Sequence, residues 1–248
     1  MDLLAFDLSF YIYVIIAITA FFATLTQAIL GMGYAIIFMA IVPYFFDYNL
    51  ALAMMFILYI IVIGLSLFSV RKYMNFQLAW PCIIGNTSGL IVGFGLLTIM
   101  KSDLIIKILG GFFILLSVYL FKFADKVKII PTKIKGIGLG GLSGILAGLF
   151  GIGGPPLAIY LMNVINDKFT YIATIQLSYI TGCIIGILMH ASRGHYTPSV
   201  FGAILILIIP VALGTWWGTK LLKTIRKELM SKILYIFLVI MGIILIFK

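Results

Sequence analysis

The chain has 248 residues, 64% of them hydrophobic and 10% charged, and a mean hydropathy of +1.26, a composition that no soluble surface can carry. It reads as an all-α polytopic membrane protein with no soluble catalytic or binding domain beside the bundle, because nearly every residue falls in an apolar stretch. Its 17 Lys and Arg against 7 Asp and Glu give a formal charge of +10, yet the basic residues sit in short connections, where they mark orientation and meet lipid headgroups rather than nucleic acid.

The start of the chain carries Asp2 and Asp7 where a cleavable signal would carry bases, so the first span is expected to be retained. Apolar blocks follow at 10–46, 49–69, 78–100, 104–121, 136–165, 171–192, 197–219 and 229–247. The first would be a helix of about 55 Å against a hydrocarbon core of about 30 Å. Both over-long blocks, 10–46 and 136–165, contain a glycine cluster: Gly31-Met32-Gly33-Tyr34 in one and Gly151-Ile152-Gly153-Gly154-Pro155-Pro156 in the other. A helix broken at bilayer depth exposes backbone groups that hydrocarbon cannot satisfy, so such breaks belong inside protein or beside a wet cavity. Each long block is therefore expected to be a bent hairpin with both ends on one side of the membrane.

The placement of Lys and Arg agrees. Counting every block as one crossing divides the basic residues nine to eight, whereas two hairpins gather thirteen of them, including Arg71, Lys72, Lys168 and Lys220, on one side against four on the other. Under the positive-inside rule that side is cytoplasmic and both termini face outward, in the plasma or inner membrane. An internal repeat fits this count. At an offset of 125, residues 89–120 overlay 214–245, pairing Gly89 with Gly214, Gly93 with Gly218, Lys107 with Lys232 and Asp103 with Glu228. The glycine clusters pair at an offset of 120, which also brings Asp47 onto Asp167. The expected organisation is a first repeat at 1–121, a cytoplasmic basic linker at 122–135 and a second repeat at 136–248. Each repeat would hold a broken-helix hairpin plus three transmembrane helices, in inverted topology, as in many alternating-access carriers. Homo-oligomerisation is left open by the sequence.

No Lys or Arg lies in the middle of a span, so an anion would have to be held by backbone N–H groups at the starts of the half-helices after Gly33 and Gly154, where a helix end carries about half a positive charge. Proline in the first helical turn, as at Pro155 and Pro156, fixes φ and costs no hydrogen bond. The candidate binding residues are Gln27, Gly31, Gly33, Tyr34, Asn86, Thr87, Gly151, Gly153, Gly154, Pro155, Gln176 and Tyr179, with Gln176, Tyr179 and Cys183 on one helical face. Gly136, Gly140, Gly144 and Gly148 have the spacing of a packing stripe. His190, near a span end, and His195, in a loop, read as solvated interfacial residues, and Cys82 and Cys183 as small buried hydrophobes, with no disulfide, metal or cofactor implied. Asp47, Asp103, Asp125, Asp167 and Glu228 all belong to loops or span ends, which argues against carboxylate-based proton coupling.

The decamer Gly148-Leu149-Phe150-Gly151-Ile152-Gly153-Gly154-Pro155-Pro156-Leu157, after a basic linker, resembles the second-half signature of the TauE/SafE sulfite exporter family of membrane transporters. In the first half Gly31 and Gly33 are followed by Tyr34 and Ala35, with no proline before Pro43, a departure from the family pattern. The resemblance implies movement of a small anion such as sulfite, a sulfonate or a related organic anion, generally outward. Export of an anion from a cell that is negative inside gains about 2.3 kcal/mol per charge per 100 mV, so it needs no coupling ion. The alternatives are an anion-permeable channel and an intramembrane serine protease built on Gly141-Leu142-Ser143-Gly144 with His190 as base.

Overall fold

The computed structural model describes residues 2–99 and 130–226 and single helical positions at 108, 111, 229, 232, 236, 240 and 243, with side chains from Phe10 onward. Among these residues the regular structure is entirely helical: α1 (Asp2–Leu30), α2 (Tyr34–Ile41), α3 (Tyr48–Val70), α4 (Phe76–Leu97), α5 (Lys133–Phe150), α6 (Gly154–Val164), α7 (Lys168–Ser192) and α8 (Pro198–Thr224). Six of them, all but α2 and α6, are long and apolar enough to cross a membrane. With 8 and 11 residues, α2 and α6 reach only about 12 and 16 Å, half a bilayer. Large apolar side chains such as Ile134, Leu205 and Ile209 point outward from the bundle, as a hydrocarbon surround allows. Apart from those single positions, the expected spans 104–121 and 229–247 lie outside the described residues, as do the linker residues 122–129 and the repeat partners Asp103, Lys107 and Glu228.

The helix ends follow from local chemistry. Asp47 and Asp167, overlaid by the sequence repeat, cap α3 and α7, the helix after each broken segment: Asp47 accepts the Asn49 N–H at 2.9 Å and Asp167 that of Thr170 at 2.7 Å. Gly31 and Gly151 end α1 and α5 with the same left-handed φ of +73°, which an L side chain adopts only under strain. The carbonyls stranded at the two breaks are satisfied by exchange between the halves. Tyr171 on α7 donates its hydroxyl to the Leu30 carbonyl, and Tyr48 on α3 donates to that of Leu149, each at 2.9 Å.

Glycine stripes set the closest helix approaches. On α4, Gly85, Gly89 and Gly93 lie against the backbone of Ile137, Gly141 and Ile145 of α5, while Gly140, Gly144 and Gly148 of α5 lie against that of Cys82, Asn86 and Leu90. This is the packing role expected of the α5 glycines. Gly214 and Gly218 of α8 meet the Phe21 and Leu25 carbonyls of α1 in the same way, so the glycines that overlay Gly89 and Gly93 serve the equivalent crossing.

Residue order at these contacts fixes direction. Numbers rise together along α4 and α5, and along α1 and α8. They also rise together from Thr87–Thr181 to Phe94–His190, so α4 and α7 are parallel. By contrast, Phe56 meets His190 and Tyr73 meets Phe169, so α3 and α7 are antiparallel. Lys168 at the start of α7 donates to the Lys223 and Ile225 carbonyls at the end of α8, at 3.1 and 2.8 Å, which places those basic segments at one end of the bundle with Tyr73.

Candidate functional site

The two breaks face one another. A Cβ on Gly154 would stand 2.7 Å from the Met32 Cβ, so the tips of the two interrupted segments are in contact. Beside this contact lies a cavity of about 30 Å³, room for about two waters. The first break contributes Gln27, Gly33, Ala35 and Ile36 to its wall, and the second contributes Ala147 and the run from Gly151 to Gly154. Helix α3 adds Phe56 and Tyr59, α4 adds Asn86 and Leu90, and α7 adds Tyr179, Gly182 and Cys183. No charged side chain lies on this wall.

At the first break, Gln27 folds back from the last turn of α1. Its Oε1 accepts the Tyr34 N–H at 3.2 Å, and its Nε2 donates to the Gly31 carbonyl at 2.9 Å and the Tyr59 hydroxyl at 2.8 Å. Gly33 holds φ +123°, and a Cβ there would lie 2.7 Å from Thr26 Cγ2, so only glycine fits. The first intrahelical bond of α2 runs from the Ile37 N–H to the Gly33 carbonyl at 3.0 Å, which leaves the N–H groups of Ala35 and Ile36, both cavity-wall residues, without an intrahelical acceptor.

At the second break, the Ser143 hydroxyl donates to the Gly153 carbonyl and accepts from Asn86 Nδ2 at 3.2 Å. Tyr179 donates to the Gly154 carbonyl at 3.2 Å. Because Pro155 and Pro156 carry no N–H, the start of α6 presents only the Gly153 and Gly154 amides. The backbone donors at the starts of the two half-helices are thus the amides of residues 33, 35 and 36 at α2, with that of Tyr34 taken by Gln27, and those of residues 153 and 154 at α6.

Seven of the twelve candidate residues come together on this wall: Gln27, Gly33, Asn86, Gly151, Gly153, Gly154 and Tyr179. The other five stand elsewhere. Gly31 is a hinge packed on Tyr171, Ile172 and Ile175 of α7. Tyr34 stacks its ring on Tyr59 behind the wall, and Thr87 bonds Thr181 at 2.9 Å between α4 and α7. Pro155 occupies the first turn of α6, as its fixed φ suits. Gln176 is fully buried, with no hydrogen-bond partner for either amide atom.

Sequence reasoning missed Phe56, Tyr59 and Leu90. Tyr59 did leave a signal, being the one polar side chain of α3 between Asn49 and Ser66. Cys183 is buried as expected, yet it also reaches the wall, donating its thiol to the Phe56 carbonyl at 3.2 Å. The solvated reading of His190 is corrected: the residue is 0% exposed. Its ring lies 5.6 Å from Phe56 and 5.0 Å from Phe94, with Nδ1 2.8 Å from Nδ1 of His195. Proximity to a span end did not imply water, because the end of α4 and the flank of α3 close over it. In the loop, burial and then the nearby Arg193 hold the His195 imidazole below its ordinary range, against a smaller opposing pull from Asp47. The Ser143 hydroxyl bonds the Gly153 carbonyl and Asn86, and His190 bonds His195 through Nδ1 while its buried Nε2 has no hydrogen-bond partner, so the two do not form a nucleophile–base pair.

A protein-family model described as Sulfite exporter TauE/SafE matches residues 16–245. No curated protein and no solved structure matches the chain.

Proposed function

The chain belongs to the Sulfite exporter TauE/SafE family, and on that premise we propose that it exports a small sulfur-containing or organic anion, sulfite- or sulfonate-like, through the cavity between its two helix breaks. Family membership makes it a multi-pass membrane transporter of sulfite-like anions rather than an enzyme. One observation carries the finer reading: two half-length helices begin at a shared, buried wall that offers amide and hydroxyl donors and no ionised side chain. A negative solute is the species such a wall favours, since helix N-termini carry partial positive charge and buried donors need acceptors.

The cavity has room for about two waters, less than a sulfonate needs, so the breaks must part for cargo to pass. Alternating access supplies that motion. It is supported by the reciprocal contacts of the halves, in which α1 lies on α8, α4 on α5 and α3 on α7, with the equivalent helices α3 and α7 antiparallel. This is the arrangement an inverted repeat generates. Efflux of an anion down a membrane potential requires no coupling ion. The basic ends around Arg71, Lys168 and Lys223 then face the cytoplasm of a cell whose plasma or inner membrane holds the protein, with both termini outside. A reporter fused after Lys248 is expected to be exposed on the outer face; cytoplasmic activity of that fusion would overturn the topology.

The binding reading is tested by thermal unfolding of the purified protein against sulfite, sulfoacetate, other sulfonates, carboxylates and inorganic anions. A bound anion at one hundred times its Kd adds about 2.7 kcal/mol to the folded state and raises the unfolding midpoint. Sulfite or a sulfonate should give the largest rise, and an unmoved midpoint with every anion would refute the assignment. Saturable efflux with trans-stimulation in proteoliposomes is expected of the carrier, and non-saturating flux would instead indicate a channel.

A further inference from the structure

The orientation of one side-chain amide determines where a hydroxyl proton points inside the cavity. The backbone N–H of Tyr34 can only donate, and its acceptor is Gln27 Oε1. The Gly31 carbonyl can only accept, and its donor is Gln27 Nε2. Turning the amide over would set N–H against N–H and oxygen against oxygen, so the helix break itself fixes the assignment. The remaining Nε2 proton goes to the Tyr59 hydroxyl at 2.8 Å. An amide nitrogen carries no lone pair to accept with, so Tyr59 is the acceptor in that bond and its own proton must be directed elsewhere.

The Tyr59 ring is held in place, which leaves its hydroxyl proton only rotation about the C–O bond. It is stacked on Tyr34, with centroids 5.4 Å apart and an interplanar angle of 20°, and lies 6.2 Å from the Tyr179 ring. Tyr59 is a wall residue of the cavity, whereas the other tyrosine hydroxyl there, that of Tyr179, spends its proton on the Gly154 carbonyl. We infer that Tyr59 donates its hydroxyl proton to an oxygen of the transported anion, and that Gln27 is the positioning residue that turns this proton into the cavity. The inference rests on the reading of the cavity as the anion site. Its consequence is a polar chain from the α2 N-terminus through Gln27 to Tyr59, each bond polarising the next, by which a helix end acts on cargo that its own N–H of residue 34 does not touch.

The experiment titrates sulfite into the purified full-length protein and its variants, with apo unfolding midpoints measured in parallel. Tyr59→Phe removes one donor and keeps the ring stack; it also leaves one Gln27 Nε2 proton without its acceptor, so the apo midpoint should fall modestly, and sulfite is expected to bind ten- to a hundredfold more weakly. Gln27→Glu keeps the shape but makes the group an acceptor only, drawing the Tyr59 proton out of the cavity, and should bind more weakly still. The chain has 13 tyrosines, so the change is read as a difference: the tyrosine Raman doublet should move toward the hydroxyl-donor pattern on adding sulfite in the wild type and not in Tyr59→Phe, which a purely structural role for Tyr59 does not produce. Wild-type affinity retained in Tyr59→Phe would overturn the inference and leave the cavity assignment intact, whereas a wild-type protein that binds no anion would overturn both. If Tyr59→Phe does not insert, retained sulfite binding by Gln27→Glu or an unmoved wild-type doublet overturns the inference in its place.

Discussion

Gly144→Leu should leave almost no folded protein, while Gly138→Leu, less than two turns away on the same helix, should be close to neutral. The ideal Cβ of residue 144 falls on the Asn86 carbonyl and lies 2.6 Å from the Leu90 amide nitrogen, backbone atoms of α4 that have no rotamer to change. Relief would require α4 and α5 to separate, and every other contact along that crossing would open with them. Inserting bulk into a side-chain core costs about 1–3 kcal/mol. Here the obstacle is main chain over three successive turns, so a loss of more than about 4 kcal/mol is expected. A Cβ at Gly138 meets nothing within 4 Å. Gly214→Leu, which would strike the Phe21 carbonyl, should behave like Gly144→Leu at the equivalent crossing of the other half. The comparison is made by yield of monodisperse protein in detergent and by its unfolding midpoint. Equal stability of the variants at residues 138 and 144 would remove the glycine stripe as the determinant of packing.

These glycines show what could be read without coordinates. A spacing of four residues on a membrane helix points to a face, and Gly214 and Gly218, which overlay Gly89 and Gly93 in sequence, lie against the backbone of α1 as Gly89 and Gly93 lie against that of α5. The breaks were legible for a similar reason, since length alone forbids one straight helix across 10–46 or 136–165. The cavity wall was less so. Gln27, Gly33 and Gly154 lie within or one turn from a glycine cluster and announce themselves, but Phe56, Tyr59 and Leu90 arrive on helices whose rotation is set by tertiary contact, which periodicity in a uniformly apolar span does not reveal. Gln176 illustrates the converse: it shares a helical face with Tyr179, yet only Tyr179 reaches the wall. The short donor set at the start of α6 was legible, because two prolines in its first turn remove two N–H groups whatever the fold.

Gly154→Leu should abolish the anion-induced rise in unfolding midpoint while the protein still inserts and purifies. Residue 154 is where the two interrupted segments touch, and its ideal Cβ lies 2.7 Å from the Met32 Cβ, an atom next to main chain that cannot swing aside. A leucine there pushes the first break away from the second and projects four carbons beside the two amides that α6 contributes to the wall. The cost to the fold is smaller than at Gly144, because the tips are short turns that can part without separating long helices, whereas the cost to binding is the whole α6 side of the site. Gly154→Ala should therefore fall between, keeping part of the response. Transport is expected to fail more completely than binding, since cargo passes only if the tips move relative to one another, and a wedge between them biases one arrangement over the other. Efflux and thermal response measured on the same three proteins separate these effects. A leucine variant with the full wild-type response to sulfite would show that the contact between the breaks is packing alone, and would move the anion site away from the start of α6.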